Sequence, residues 1–200
     1  MKYLGIILDS RLLWNEHVSY IRTKLCRSIN CIRRVKHLIP RKILVNLYYS
    51  LILPHIDYCC TAWGNCSKTN LNSIQKLQNK YARLVLNANF YTSQCSLMTT
   101  LSWQPVEHRI KYQYCLTVYK ILNNLAPSYL EKLINRLNPS YSTRYSENSS
   151  LLVPHPKTEY KKRSFSYTGS LLFNKLPITV QQSHSLQVFK KSCLRYNAML

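Results

Sequence analysis

Glycine is scarce in this chain, with three in 200 residues. That argues against all-β architectures built on tight turns and against nucleotide-binding folds that need glycine loops. Acids are nearly as rare. The seven are Asp9, Glu16, Asp57, Glu107, Glu131, Glu147 and Glu159, and no two lie within six positions of each other. Two-metal phosphoryl transfer needs clustered carboxylates, so these read as solvated or ion-paired surface acids. Ser, Cys and His are plentiful, but no Gly-x-Ser-x-Gly elbow or glycine-rich phosphate loop accompanies them. The chain as it stands is therefore expected not to be an enzyme. No apolar run approaches 18 residues and no secretory leader opens the sequence, so a membrane partner is not expected.

What is present is positive charge. Twenty-eight Lys and Arg give a formal net charge of +21. Self-repulsion on that scale opposes a compact state unless counter-anions compensate it. A polyanion is the natural partner, and phosphate backbones are the commonest one. With 46% hydrophobic and 12% aromatic residues, the chain can still bury a core, and its length suits one domain or one domain with a small appendage.

Eight cysteines occur, at positions 26, 31, 59, 60, 66, 95, 115 and 193. Their irregular spacing and lack of a leader point to reduced, buried thiols in an intracellular protein, nuclear or cytoplasmic. His55, Cys59, Cys60 and Cys66 hold ligand-type atoms within a dozen residues. Structural zinc sites pair their ligands two to four apart and repeat the pair after a spacer. Adjacent Cys59 and Cys60 do not fit that pattern, so no metal is expected.

Along the chain, residues 2–9 form a short β-type run with no strand partner in sight. Helical periodicity follows. Asn15 is the expected cap of a helix in which Val18, Ile21, Leu25, Ile29 and Ile32 recur at steps of three and four. At about 100° per residue, Arg27 and Arg34 project opposite that stripe, flanked by Arg22, Lys24 and Arg33. Pro40 suits the start of a second helix, residues 41–53, with Ile43, Leu44, Leu47 and Leu51 as its apolar face and Pro54 as its end. The cation-free stretch 55–67 is expected to be buried. A third helix spans residues 70–86, with Leu71, Ile74, Leu77, Ala82 and Val85 inward and Lys76, Lys80 and Arg83 outward. The turn Trp103-Gln104-Pro105 precedes a fourth helix to residue 122, carrying Ile110, Tyr114, Val118 and Ile121. Pro127 opens a short helix to residue 134.

The character changes near Asn138. Residues 139–150, rich in Ser, Tyr and Asn, read as a linker or extended arm, and residues 151–167 as irregular or β-like. A helical turn over 170–174 and a final amphipathic helix over 185–196 complete the chain. In Tyr160-Lys161-Lys162-Arg163-Ser164-Phe165-Ser166-Tyr167 cations interleave with aromatics, a pattern that can neutralise phosphates while rings stack on unpaired bases.

Several blocks, in order along nearly the whole chain, resemble LINE-type (non-LTR) retrotransposon reverse transcriptases of the Jockey-like branch. Lys2-Tyr3-Leu4-Gly5 with Leu8-Asp9 and Trp14 is similar to the strand region just after that family's palm, near the primer grip. The run from Tyr48 through Leu53-Pro54-His55-Ile56-Asp57-Tyr58, then Trp63-Gly64-Asn65, resembles its thumb-region pattern. Leu77-Gln78-Asn79-Lys80 with Ala82-Arg83 looks like its next helix. Tyr141-Ser142-Thr143-Arg144, Arg163-Ser164-Phe165-Ser166-Tyr167, Gly169 and Phe173-Asn174-Lys175-Leu176-Pro177 resemble its C-terminal pattern. The family more often carries Trp at the place of Phe173 and Gly at the place of Cys59.

The resemblance implies a C-terminal, thumb-and-downstream region that lacks the catalytic Asp-Asp palm motif, with magnesium belonging to that palm and no cofactor in this chain. It also implies an RNA template–DNA primer duplex as partner, and the palm itself as a protein partner. The expected fold is mainly α: a short β segment (1–14), a helical thumb-like bundle (15–137) and a basic, partly irregular extension with a final helix (138–200). Three cationic groups are the expected phosphate contacts: Arg22, Lys24, Arg27, Arg33 and Arg34; Lys76, Lys80 and Arg83; and Lys161, Lys162 and Arg163. The alternative is an inert remnant or a domesticated protein-interaction module without nucleic-acid function.

Overall fold

The computed structural model describes residues 1–136 and 151–197. The expected linker and the Tyr141–Arg144 block lie outside the described residues. Among those described, eleven α-helices and one two-stranded sheet occur, a mainly α fold. The chain divides into two compact units, Met1–Arg109 and Ile110–Leu200.

The first unit opens with a hairpin. Strands β1 (Lys2–Tyr3) and β2 (Ile6–Ile7) pair antiparallel, Lys2 opposite Ile7 and Tyr3 opposite Ile6. The strand partner missing from the sequence reading is thus inside the run itself. The two-residue turn needs positive φ at both positions, and it has Leu4 at 44° and Gly5 at 82°. Leu in place of the usual Asn or Asp hid the turn.

Helix α1 (Asn15–Val35) buries Val18, Ile21, Leu25, Ile29 and Ile32, the expected stripe, together with His17. Its N-cap is Trp14, not Asn15, with no side-chain cap bond, and Asp9 instead orders the loop that leads into it. The Asp9 carboxylate accepts the N–H groups of Arg11 (3.0 Å), Leu13 (2.9 Å) and Trp14 (2.6 Å). Desolvation is the largest single influence and pushes the Asp9 carboxyl up, but the backbone donors together outweigh it and hold that carboxyl below its ordinary pKa.

Helix α2 (Arg41–Leu47) does not end at Pro54. It runs through a π-helical turn, Tyr48–Ile52, into α3 (Leu53–Asp57). Proline in a helix lacks a donor and crowds the carbonyl four residues back, and a wider turn relieves both. The buried side is therefore Leu44, Tyr48, Ile52 and Ile56, four apart, whereas Ile43 and Leu51 are exposed.

Short α4 (Cys60–Trp63) precedes α5 (Lys68–Leu86), which Ser67 caps by accepting from Asn70 N at 3.2 Å. In the stretch 55–67, Ile56, Cys60, Trp63 and Gly64 are buried, but Tyr58 and Cys59 are exposed. Helices α1 and α5 lie parallel. Asn70 Nδ2 donates to Asn15 Oδ1 at one end, and Lys36 Nζ donates to Asn87 Oδ1 at the other, both at 2.8 Å. Helix α6 (Gln94–Leu101), which the sequence reading missed, leads to α7 (Val106–Leu122). At the centre, the Trp103 and Tyr48 rings stack with centroids 3.6 Å apart.

The second unit surrounds α7 residues Cys115, Val118 and Tyr119 with Phe173, Phe189 and Cys193. A 3₁₀ segment, Ser128–Leu133, occupies the place of the expected short helix. The expected irregular stretch instead contains α8 (Glu159–Lys162) and the start of α9 (Phe165–Asn174). Helix α10 (Ile178–Gln181) and the amphipathic α11 (Leu186–Asn197) follow. Gly169 is buried because α9 crosses α7 there, where an added Cβ would meet Val118 Cγ2 at 3.0 Å. Asn174 bonds both backbone groups of Leu151, at 2.9 and 2.8 Å.

Candidate nucleic-acid interface

The basic face of α1 follows from its periodicity. With the apolar stripe turned inward, Arg22, Arg27, Arg33 and Arg34 are exposed and Lys24 is half-buried. Arg27, Asn30, Cys31 and Arg34 line a surface depression of about 310 Å³. Two guanidiniums two turns apart with an amide between them can hold an oxyanion. Residues 17–56 carry eight Lys and Arg and no acid, so no neighbouring carboxylate along this stretch neutralises them.

A second hollow, also about 310 Å³, lies beside the hairpin and is lined by Gly5, His17, Tyr20, Lys24, His55 and Tyr58 among others. Lys24 Nζ sits 4.6 Å and Lys2 Nζ 5.3 Å from the Tyr20 ring centroid. Hydrogen bonding to Lys24, with the charge of Lys2 nearby, holds the Tyr20 hydroxyl below its ordinary pKa. Burial, helped by the Lys24 charge, does the same to His55, keeping that ring neutral. The Tyr58 hydroxyl donates to Leu4 O at 2.6 Å and fixes the hairpin to the helices.

On α5, Lys76, Lys80 and Arg83 share one side of the helix, and Asn87 continues the row. Lys76 and Lys80 are exposed. Arg83 is half-buried and engaged: Nη2 donates to Thr92 O at 3.0 Å, and the guanidinium lies 5.6 Å from the Phe90 centroid. In the second unit Lys161 is exposed, Lys162 meets Glu159 at 2.5 Å, and Arg163 lies 6.0 Å from the Tyr160 ring. The aromatics of this segment divide: Tyr160 is exposed, while Phe165 stacks on Tyr114 at 5.7 Å.

The α1 and α5 cations both belong to the first unit, on parallel helices; Lys161, Lys162 and Arg163 belong to the second unit. Many residues carrying the family resemblance hold the fold. Asp57 receives a two-pronged bond from Arg109. Gln78 donates to Tyr48 Oη (2.8 Å) and Gln104 O (2.9 Å) and accepts from Gln75, whose Oε1 takes the Val106 N–H at 2.8 Å. Buried glutamines on an apolar helix face gave no sequence signal of that network. The exposed pair Phe90 and Tyr91 was also missed, because it interrupts no period and adds no charge.

The thiols are not uniformly buried. Cys60, Cys115 and Cys193 are, whereas Cys31, Cys59 and Cys95 are exposed at helix faces and turns. Burial pushes the Cys60 thiol up to about 12. Among the described residues no three His, Cys, Asp or Glu side chains converge as metal ligands. No helix among them is long and apolar enough to cross a membrane.

Known proteins extend this picture. The chain is 27% identical over 171 residues to a probable RNA-directed DNA polymerase from transposon X-element of Drosophila melanogaster, matching 80% of this chain and 18% of that protein. It is 28% identical over 169 residues to the RNA-directed DNA polymerase from mobile element jockey of the same species, 81% of this chain and 16% of that protein. A probable RNA-directed DNA polymerase from transposon BS, also from that fly, is 30% identical over 115 residues, 54% of this chain and 12% of that protein. The chain thus matches less than a fifth of the length of these curated relatives. No protein-family model matches it, and no solved structure does. The resemblance read from the sequence holds: the curated homologues are Drosophila non-LTR retrotransposon RNA-directed DNA polymerases.

Proposed function

We propose that the chain is the non-catalytic gripping part of a retrotransposon RNA-directed DNA polymerase, holding the RNA template–DNA primer duplex by its phosphates. The observation that carries the reading is α1. One helix commits its apolar stripe to the core and turns Arg22, Arg27, Arg33 and Arg34 outward, in a 40-residue stretch, 17–56, without an acid. Lys24 flanks that face, and Lys76 and Lys80 supply further contacts from the parallel α5. Lys161, Lys162 and Arg163 supply a further contact from the second unit. Chemistry, with its magnesium, would belong to a palm domain in the parent polymerase, which is a second partner of this chain.

On this reading the cations meet phosphates and not base edges, so affinity is largely sequence-independent. Each phosphate neutralised releases counterions, and six or more contacts cost roughly a thousandfold in affinity between about 50 and 200 mM salt. The test is a binding titration at several salt concentrations with an RNA–DNA hybrid and a duplex DNA of scrambled sequences. A steep salt slope, little sequence preference and a hybrid that competes at least as well as duplex DNA support the reading. A flat salt dependence contradicts it and favours the inert-remnant alternative.

A further inference from the structure

The loop between α5 and α6 displays two aromatic rings with almost nothing covering them. Phe90 is 78% and Tyr91 88% exposed, and the rings meet edge to face with centroids 5.7 Å apart. Water-exposed aromatic area is costly, yet this loop is not slack. Asn87 ends α5 in the left-handed region with its N–H on Arg83 O, and Ala88 N bonds the same carbonyl at 3.1 Å. Thr92 N donates to Asn89 O at 3.1 Å, Arg83 Nη2 donates to Thr92 O at 3.0 Å, and Ser93 caps α6 by accepting from Ser96 N at 3.2 Å. Asn79 Nδ2 reaches across to Gln94 Oε1 at 3.2 Å. The backbone is tied on both sides of the rings, so the pair is held out in a fixed place.

Charge leads up to it. Lys76, Lys80 and Arg83 recur at steps of four and three along one side of α5, a row of about 10 Å that ends at this loop. Lys36, from the end of α1, joins it through Asn87 Oδ1. Arg83 lies on the Phe90 ring itself, 5.6 Å from the centroid. Exposed rings at the end of a cationic track match what an unpaired nucleic-acid strand requires: cations along the backbone, then π-faces for the bases. Between Asp57 and Glu107 the sequence has no acid, which disfavours a basic peptide as occupant.

We propose that Phe90 and Tyr91 form a stacking platform for unpaired nucleobases, with Lys76, Lys80 and Lys36 tracking the adjoining phosphates. The proposal rests on the phosphate-gripping reading and adds to it a preference for single-stranded nucleotides beside the duplex. RNA and DNA bases both present π-faces, so the base is the ligand and either sugar is admissible.

The test compares the wild-type chain with Phe90→Ala/Tyr91→Ala and Phe90→Leu/Tyr91→Leu on single-stranded RNA, single-stranded DNA and a blunt RNA–DNA hybrid at fixed salt. Both variants are expected to bind single strands at least about tenfold more weakly, in line with stacking energies per base. Hybrid affinity stays within about twofold, and circular dichroism is unchanged because the replaced side chains are exposed. The leucine variant separates ring stacking from simple apolar contact. A Phe90→Trp variant provides a direct readout: Trp14, Trp63 and Trp103 are buried, so quenching of the new indole by single strands and not by the hybrid reports the contact. Unchanged single-strand affinity in both alanine and leucine variants overturns the proposal and points to a protein partner for the rings. Equal losses on single strands and hybrid also overturn it. A wild-type chain that binds none of the three substrates removes the phosphate-gripping reading itself, and this platform with it.

Discussion

Arg109 closes on Asp57 with two parallel bonds, Nε to Oδ1 at 2.9 Å and Nη2 to Oδ2 at 2.7 Å. Asp57 is the one acid between Glu16 and Glu107, and it faces inward to the start of α7 instead of neutralising the basic helices. The pair joins α3 to α7 within the first unit, and each side chain is about a quarter exposed. Solvent screening keeps its value below that of a buried pair, so Asp57→Asn is expected to lower stability by about 1–2 kcal/mol. Chemical denaturation checks this, and an unchanged midpoint would show the bridge to be incidental.

Cys59 stands where the resembling family more often has glycine, and its backbone explains the preference. With φ 48° and ψ 27° it sits in the left-handed region at the start of α4. That conformation costs a non-glycine residue roughly 1–2 kcal/mol, part of which glycine returns as unfolded-state entropy. Cys59→Gly is expected to raise the unfolding midpoint by the equivalent of about 0.5–1 kcal/mol. A lower midpoint in thermal unfolding would count against strain at this position.

His17, 2% exposed on α1, couples the hairpin to pH. Its Nδ1 accepts the Ile7 N–H at 3.4 Å, and desolvation holds the ring below its ordinary pKa of 6.5. The unfolded chain therefore takes up the proton first. The stability contributed by neutral His17 is complete above pH about 6.5 and declines as pH falls below it, toward the lowered folded-state value. A protonated Nδ1 cannot accept, so the Ile7 tie to the hairpin is lost as well, while the Tyr58–Leu4 bond remains. Urea midpoints measured from pH 7.5 down to 5 should fall, and His17→Asn should flatten that slope. The same slope in wild type and variant would move the effect to other groups.

Fold and site were legible to different degrees. Helix α1 followed from five apolar residues at steps of three and four, because a long amphipathic helix states its period and its exposed face together. Pro105 marked the start of α7, and the apolar period carried α5 to its end at Leu86, although its start, capped by Ser67, lies two residues before the expected one. The π-helical turn was not, because Pro54 normally ends a helix and only tertiary burial of Tyr48, Ile52 and Ile56 carries it through. Helix α6 was hidden by its small polar residues, and α8 with the start of α9 by a charge run. Charged residues could be read as outward-facing, but their engagements could not: the bonds of Arg83 to Thr92 and of Lys162 to Glu159 depend on segments folding back. Phe90 and Tyr91 showed the opposite failing, since exposure of an aromatic is decided by what does not pack on it.

Phosphate binding by α1 is tested most directly by reversing charge where the helix faces away from its core. Arg27 and Arg34 are both exposed and line the same surface depression, so Arg27→Glu/Arg34→Glu leaves the apolar stripe untouched. The measurement is the affinity of the correctly folded double variant for an RNA–DNA hybrid across several sequences at about 100 mM salt, with helicity verified by circular dichroism. The expected loss is about a hundredfold or more, uniform across sequences, with a shallower salt slope because fewer counterions are released. Wild-type affinity in the folded double variant would contradict it.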